Sequence, residues 1–165
     1  MAVPVVSVVG KSGVGKTTFL EKLIRELKRR GYRIGTVKHD FGGFEIDLPG
    51  KDTWRHAQAG SDVVVISSPV KMAMIRRVER ELTLDEIVAE MPPLDLVITE
   101  GFKAADKPKI EVVRSPVSNG LLFGPRDLLA IVADQPFALP VPQFGLDDAA
   151  GVADLLEREY IRSVQ

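Results

Sequence analysis

Apolar positions along the chain fall into short, dense runs separated by glycine, proline and charge. Val5 to Val9 is nearly continuous and β-branched, which predicts a strand buried on both faces, as in a parallel sheet. Phe19, Leu20, Leu23, Ile24 and Leu27 then recur at helical spacing. Lys28, Arg29 and Arg30 fill the last turn of that helix and Gly31 ends it. Ile34 to Val37 predicts a second strand. Residues 41 to 50 are glycine-rich and irregular, and Asp52 to Ala59 predicts a short helix closed by Gly60. Asp62 to Ile66 reads as another buried strand. Thr83 and Glu86 have the spacing of a capping box, for a helix running to about Glu90 that Pro92 and Pro93 stop. Strands follow at Leu94 to Thr99, Ile110 to Val113 and Leu128 to Ala133. Asp147 or Asp148 caps a last helix through about Glu159.

Strands alternating with helices predict an α/β fold of three layers, with a mostly parallel sheet flanked by helices. No linker, repeat or low-complexity stretch interrupts the pattern. Residues 1–165 are therefore expected to form one domain.

Between the first strand and the first helix stand Gly10, Lys11, Ser12, Gly13, Val14, Gly15, Lys16 and Thr17, followed by Thr18. These match G-x-x-x-x-G-K-[ST], the Walker A pattern. Glycines let successive backbone N–H groups turn inward as an anion nest, and the following helix adds its N-terminal partial positive charge. Lys16 would bridge the β- and γ-phosphates of a nucleoside triphosphate, and Thr17 would give its hydroxyl to Mg²⁺. The buried strand before and the amphipathic helix after supply the context the motif requires. A plain flexible turn is the competing reading.

Ligands of an open α/β sheet gather at the carboxyl ends of its strands. Glu100 closes the run Leu94 to Thr99 and is placed to hold Mg²⁺ through water, against a plain surface carboxylate at a strand end. Asp95, at the opposite end of that strand, reads as structural. His39 and Asp40 follow the second strand. Asp40 is the candidate for positioning Mg²⁺ or an attacking water, and His39 for touching a phosphate or a substrate, against a plain polar loop. Asp47, Lys51 and Asp52 lie in a turn-rich, charged stretch that could bind a second ligand, order itself around the first, or be a plain solvated connection. Lys103, Lys107, Lys109 and Arg114 form a local basic strip that could meet a phosphorylated substrate or simply face water. Arg76, Arg77 and Arg80 form a second cluster, read either as a kinase-like lid or as a partner surface. Trp54 reads as core. Asp134 could accept from the paired N–H donors of guanine, although Asn-Lys-x-Asp is absent, with Pro136, Pro140 and Pro142 stiffening the loop behind it.

Composition removes several classes of function. A net charge of −1 gives no overall field for nucleic acid or anionic membrane. There are no cysteines, which excludes disulfides and thiolate chemistry, and two histidines are too few for a histidine-rich metal centre. The first ten residues lack a basic leader, and no apolar run approaches the ~20 residues that span a bilayer. A cytoplasmic protein that binds neither nucleic acid nor membrane is expected.

The segments VVGKSGVGKTTFL, TVKHD, DLPGKDTWRHAQAG, LDLVITEGFK and PKIEVVR, in this order, resemble the molybdopterin-guanine dinucleotide biosynthesis protein B (MobB) family. The resemblance extends from about Pro4 to Phe144, and the pairing of GKDTWRHAQAG with EGFKAADKPKIEVVR is its most specific part. It implies a P-loop GTP-binding fold, commonly dimeric, with GTP and Mg²⁺ as cofactors and weak GTP hydrolysis. It implies an accessory role in molybdenum cofactor maturation beside the guanylyltransferase (MobA) that joins GMP to molybdopterin. Whether molybdopterin itself binds this chain stays open. The family's phosphate loop maps onto Gly10 to Thr18, its acidic strand end onto Glu100 and its downstream loop onto Asp47, Gly50, Lys51 and Asp52. The stretch from Lys11 to Lys16 also resembles the K-G-G-x-G-K loop of dimeric ATPases and GTPases, with Ser12 in place of a glycine. That likeness implies that Lys11 could reach the nucleotide of a partner subunit, although many relatives of the MobB family lack a lysine there. Two other readings stay open: a small-molecule kinase using the same loop, and a binding module whose nucleotide only orders residues 41–51.

Overall fold

A computed structural model describes residues 3–161. It divides into two compact units. The larger comprises the chain up to His39 and again from Ile87, and the smaller comprises residues 40–86.

The larger unit is built on six strands: β1 (Val5–Val9), β2 (Ile34–Lys38), β5 (Leu96–Glu100), β6 (Lys109–Val113), β7 (Leu128–Ala133) and β8 (Gln143–Phe144). Their order is β2-β5-β1-β6-β7-β8 and every described pairing is parallel. The numbering leaves β3 and β4 to the smaller unit. Side chains alternate between faces with period two. Val6, Val8, Leu96, Ile98, Ile110, Val112, Ala130 and Val132 point to one face. There they meet Phe19, Leu20, Leu23 and Leu27 of helix α1 (Lys16–Arg29) and Val152, Ala153, Leu155 and Leu156 of helix α4 (Ala149–Leu156). This is the expected mostly parallel α/β sheet flanked by helices. On the other face Gly35 lies so close to Leu94 and Met91 that a Cβ there would stand 2.5 Å from the Leu94 side chain.

That second face holds buried polar groups, each partnered. Thr99 Oγ1 donates to Ser7 Oγ at 2.9 Å across the β1–β5 pairing. The Glu111 carboxylate, itself buried, accepts from the N–H groups of Leu122 (2.6 Å) and Phe123 (3.2 Å) and so anchors the loop after β6. Burial pushes the Glu111 pKa up, and the two backbone donors oppose the shift.

The local signals act as read. Asp148 caps α4 by accepting from Gly151 N–H at 2.9 Å, and the helix passes into a π-turn at Glu157–Ile161. Asp95 accepts from Arg33 N–H at 2.6 Å, a structural role. Arg30 ties the end of α1 to α4 through Glu26 (2.7 Å), Asp154 (2.7 Å) and Glu157 (3.3 Å).

The smaller unit differs from expectation. Helix α2 (Asp52–Gln58) forms as read, with Trp54 half-buried, but the apolar run after it is not a buried strand of the main sheet. It is β3 (Val63–Ser67), paired antiparallel with β4 (Met72–Arg76), a strand the pattern analysis does not anticipate. Of β3 only Val64 is buried. The capping box is real: Thr83 N–H donates to Glu86 at 2.8 Å and Glu86 N–H to Thr83 Oγ1 at 3.3 Å, opening helix α3 (Leu84–Ala89). Among the described residues no helix is long and apolar enough to cross a membrane.

Ser7→Ala orphans the buried Thr99 hydroxyl and should cost about 1–3 kcal/mol in urea unfolding, whereas adding Thr99→Val should recover most of it. Hydrogen bonds from Arg29 and then Arg30 hold the Glu26 carboxyl at about 2, against an ordinary 4.5. Its stabilising contribution is therefore present above pH 4.5 and fades as pH falls toward 2. Glu26→Gln should flatten that acid limb of the urea midpoint and leave the region around neutral pH level.

Candidate functional site

The parallel register determines what meets at the carboxyl edge of the sheet. Val8 of β1 pairs with Glu100 of β5, and Glu100 in turn with Lys38 of β2. The chain leaving β1 turns through Gly10 to Gly15 and enters α1 at Lys16. Gly10, Gly13 and Gly15 all have positive φ. A Cβ on Gly10 would stand 2.5 Å from the Val112 carbonyl of β6, so the loop can pass that strand only as bare backbone. Val14 is buried in the core and pins the loop from below, while Lys11, Ser12 and Gly13 are exposed on its rim.

Lys16 Nζ donates to the carbonyls of Gly10 (3.2 Å) and Lys11 (2.8 Å), arching over the loop it belongs to. Thr17 Oγ1 donates to Glu100 Oε1 at 2.9 Å, joining residues 83 positions apart in the chain. Lys38 Nζ lies 3.6 Å from the same carboxylate oxygen. Burial pushes the Lys16 pKa down, Glu100 pulls it up, and the nearby charges of Lys103 and Lys38 push it down again. Three lysines thus gather around one carboxylate at a helix N-terminus. The surplus positive charge beside a helix N-terminus is an arrangement that can attract an anion.

Thr17 and Glu100 are hard oxygen donors in contact. Among the described residues no cluster of three or more His, Asp or Glu forms a metal cage. The pair suits Mg²⁺, which takes one or two protein oxygens and completes its shell with phosphate and water. A cleft of about 130 Å³ lined by Leu20, Ile24, Thr36 and Val37 opens beside them.

Other expected residues fall into place differently. His39, at the end of the larger unit, packs its ring 4.6 Å from that of Phe102 and donates its backbone N–H to the Glu100 carbonyl. Asp40, Asp47, Gly50, Lys51 and Asp52 belong to the smaller unit. Asp40 accepts from Gly42 N–H at 2.9 Å and Asp47 from Leu48 N–H at 2.9 Å, both short-range turn contacts. The second Asp47 oxygen is buried without a hydrogen-bond partner. Gly50 has φ 85°, and Lys51 and Asp52 open α2. Asp134 follows β7 and accepts from Ser115 N–H through both oxygens at 3.1 Å. In the second basic cluster, Arg80 forms a two-armed pair with Glu86, and Arg77 donates to the Ala57 carbonyl at 2.7 Å.

Two residues gain importance that the linear pattern hides. Lys38 ends β2 beside Glu100. Arg114 follows β6 and donates from Nη2 to the Gly13 carbonyl at 3.2 Å, on the loop itself. Both occupy the first positions at or after a strand's carboxyl end, the same signal that points to Glu100.

A parallel sheet with a glycine loop leading into α1 and an acidic residue closing the adjacent strand defines the P-loop NTPase fold. Within it, the chain belongs to the molybdopterin guanine dinucleotide synthesis protein B (MobB) family, whose model matches residues 5–134. It is 32% identical over 157 residues to the molybdopterin-guanine dinucleotide biosynthesis adapter protein of Haemophilus influenzae, covering 94% of this chain and 88% of that one. It is 33% identical over 160 residues to the Escherichia coli protein of the same description, covering 93% and 91%. A crystal structure described as molybdopterin-guanine biosynthesis protein B superposes with a TM-score of 0.74 at 33% identity, covering 93% of this chain and 98% of that one. A MobB protein homolog from Bacillus stearothermophilus superposes at 0.69 with 27% identity, covering 96% and 98%.

Gly10→Ala should destabilise the protein by about 1–3 kcal/mol, because strand backbone rather than a side chain opposes the new Cβ. Gly13→Ala, where no atom stands within 4 Å, meets strain from φ alone and should cost less. Thermal unfolding of the two variants compares them directly.

Proposed function

We propose that this chain is a Mg²⁺-dependent GTP-binding adapter in molybdopterin guanine dinucleotide biosynthesis, with weak GTPase activity, assisting the guanylyltransferase. The observation that carries the reading is the 2.9 Å contact between Thr17 and Glu100 beneath a lysine-rimmed glycine loop. The adapter role is what the relatives' names supply. Backbone N–H groups of Gly13 to Thr18 and the Lys16 ammonium hold phosphates. Thr17 would hold Mg²⁺ directly and Glu100 through water, and the ion would supply positive charge to offset that of the phosphates. Asp134 accepts from guanine with the lone pairs that Ser115 leaves free. His39, Lys103 and the segment holding Asp47, Gly50, Lys51 and Asp52 serve the substrate or partner.

Slow turnover suits this arrangement. Fast hydrolysis needs a further charge placed on the transition state, often an arginine finger, and residues 10–17 of the loop contain no arginine. Two arginines of the second cluster that a kinase lid would use are committed to Glu86 and Ala57. The kinase is therefore the weaker alternative. A nucleotide-ordered binding module without functional hydrolysis is separated by comparing GTP turnover in wild type and Lys16→Ala.

The chain acts as a homodimer through the hairpin of its smaller unit. Val63, Val65, Met72 and Met74 share one face of β3–β4 and all are exposed, Met72 to 64% and Met74 to 56%. Two strands alone are marginal in water, and so much contiguous apolar surface favours a cover.

Calorimetric titration of GTP and ATP with Mg²⁺ tests the nucleotide reading. GTP should bind at least tenfold more tightly than ATP, and Lys16→Ala should abolish both; equal or tighter ATP binding contradicts it. For the dimer, Val65→Asp with Met74→Asp should convert it to a monomer in sedimentation without loss of helical circular dichroism. A wild type that sediments as a monomer at tens of micromolar rejects that part.

A further inference from the structure

The sheet order separates the two sides of the phosphate loop. Glu100, with Thr17, ends β5 on one side of β1; Arg114 follows β6 on the other, toward β7 and Asp134. In strand order Arg114 thus stands on the opposite side of β1 from the Thr17–Glu100 contact. Its Nη2 is tethered to the Gly13 carbonyl, and its Nε lies 4.0 Å from where a Cβ on Gly15 would stand. Among the described residues no carboxylate pairs with it.

The next residue continues the link: Ser115 N–H donates to both oxygens of Asp134. The two-residue step 114–115 thus joins the phosphate loop to the carboxylate assigned to the base. Its backbone is held on both flanks. Ser118 N–H donates to the Arg114 carbonyl at 2.9 Å, and buried Glu111 anchors Leu122 and Phe123 where the loop returns. An exposed, planar guanidinium held at one end, between a phosphate nest and a purine-edge acceptor, is suited to lie against an aromatic ring face.

We propose that Arg114 is the purine-stacking residue of this site: tethered to Gly13, its guanidinium plane supports the base whose edge Asp134 reads. The inference rests on the guanine-nucleotide reading above and adds a residue and a contact to it. Lysine at this position keeps the charge and can reach Gly13, but offers no plane.

The test measures Mg²⁺-dependent binding of GTP and of inorganic tripolyphosphate to wild type, Arg114→Ala and Arg114→Lys. Arg114→Ala should weaken GTP by roughly tenfold or more, the scale of a lost base stack. Tripolyphosphate should stay within about twofold, which also shows that the variant folds. Arg114→Lys should recover little of the GTP affinity. Equal losses for both ligands would make Arg114 a phosphate or loop-supporting residue, and no loss for GTP would leave it without a nucleotide contact; either overturns the proposal. A wild type that binds tripolyphosphate as tightly as GTP overturns it while the phosphate loop stands. A wild type that binds neither overturns both.

Discussion

The register between β1 and β5 is the constraint on which the site depends. Parallel pairing sets Val8 opposite Glu100, so the strand that feeds the glycine loop and the strand that ends in a carboxylate finish level. The buried Ser7–Thr99 hydrogen bond lies one residue below and belongs to that register alone. A slip of one residue would turn Glu100 to the opposite face and leave Thr17 without its partner. Core packing serves the same end: Val14 and Phe19 sink into the cluster under α1, which holds the helix N-terminus beside the carboxylate.

Charge is arranged around that geometry rather than spread over the molecule. The whole chain carries a net charge of −1, yet Lys38, Lys103 and Glu100 all act on Lys16. At the far end of α1 the charges are matched, with Arg30 shared among Glu26, Asp154 and Glu157. The same helix thus has a positive end with charge to spare and an opposite end that is satisfied. That asymmetry separates the candidate site from the structural tie.

The parts of the fold legible in the sequence are those governed by local rules. β1 is a β-branched run broken only at Ser7, as a strand buried on both faces requires. The end of α1 is marked by Gly31, and the starts of α3 and α4 by side-chain caps at Thr83 and Asp148. What escaped has a common cause. Val63 to Ile66 has the composition of a core strand, but an apolar run says only that burial is favourable, not what provides it; here it became an exposed hairpin. β8 is two residues long and carries no periodicity. For the site, Lys16, Thr17 and Glu100 were legible from motif and strand end, and the structure brings them together. Arg114 was visible only as one member of a basic strip, because its contact with Gly13 spans 101 positions and depends on β6 lying beside β1.

The central claim is that Thr17 and Glu100 form the metal side of a triphosphate site. The Mg²⁺ dependence of GTP affinity in wild type and Glu100→Gln tests it most directly. Mg²⁺ should tighten GTP binding by at least tenfold in wild type, and Glu100→Gln should lose most of this gain while retaining the metal-free affinity. An undiminished Mg²⁺ gain in Glu100→Gln would contradict it.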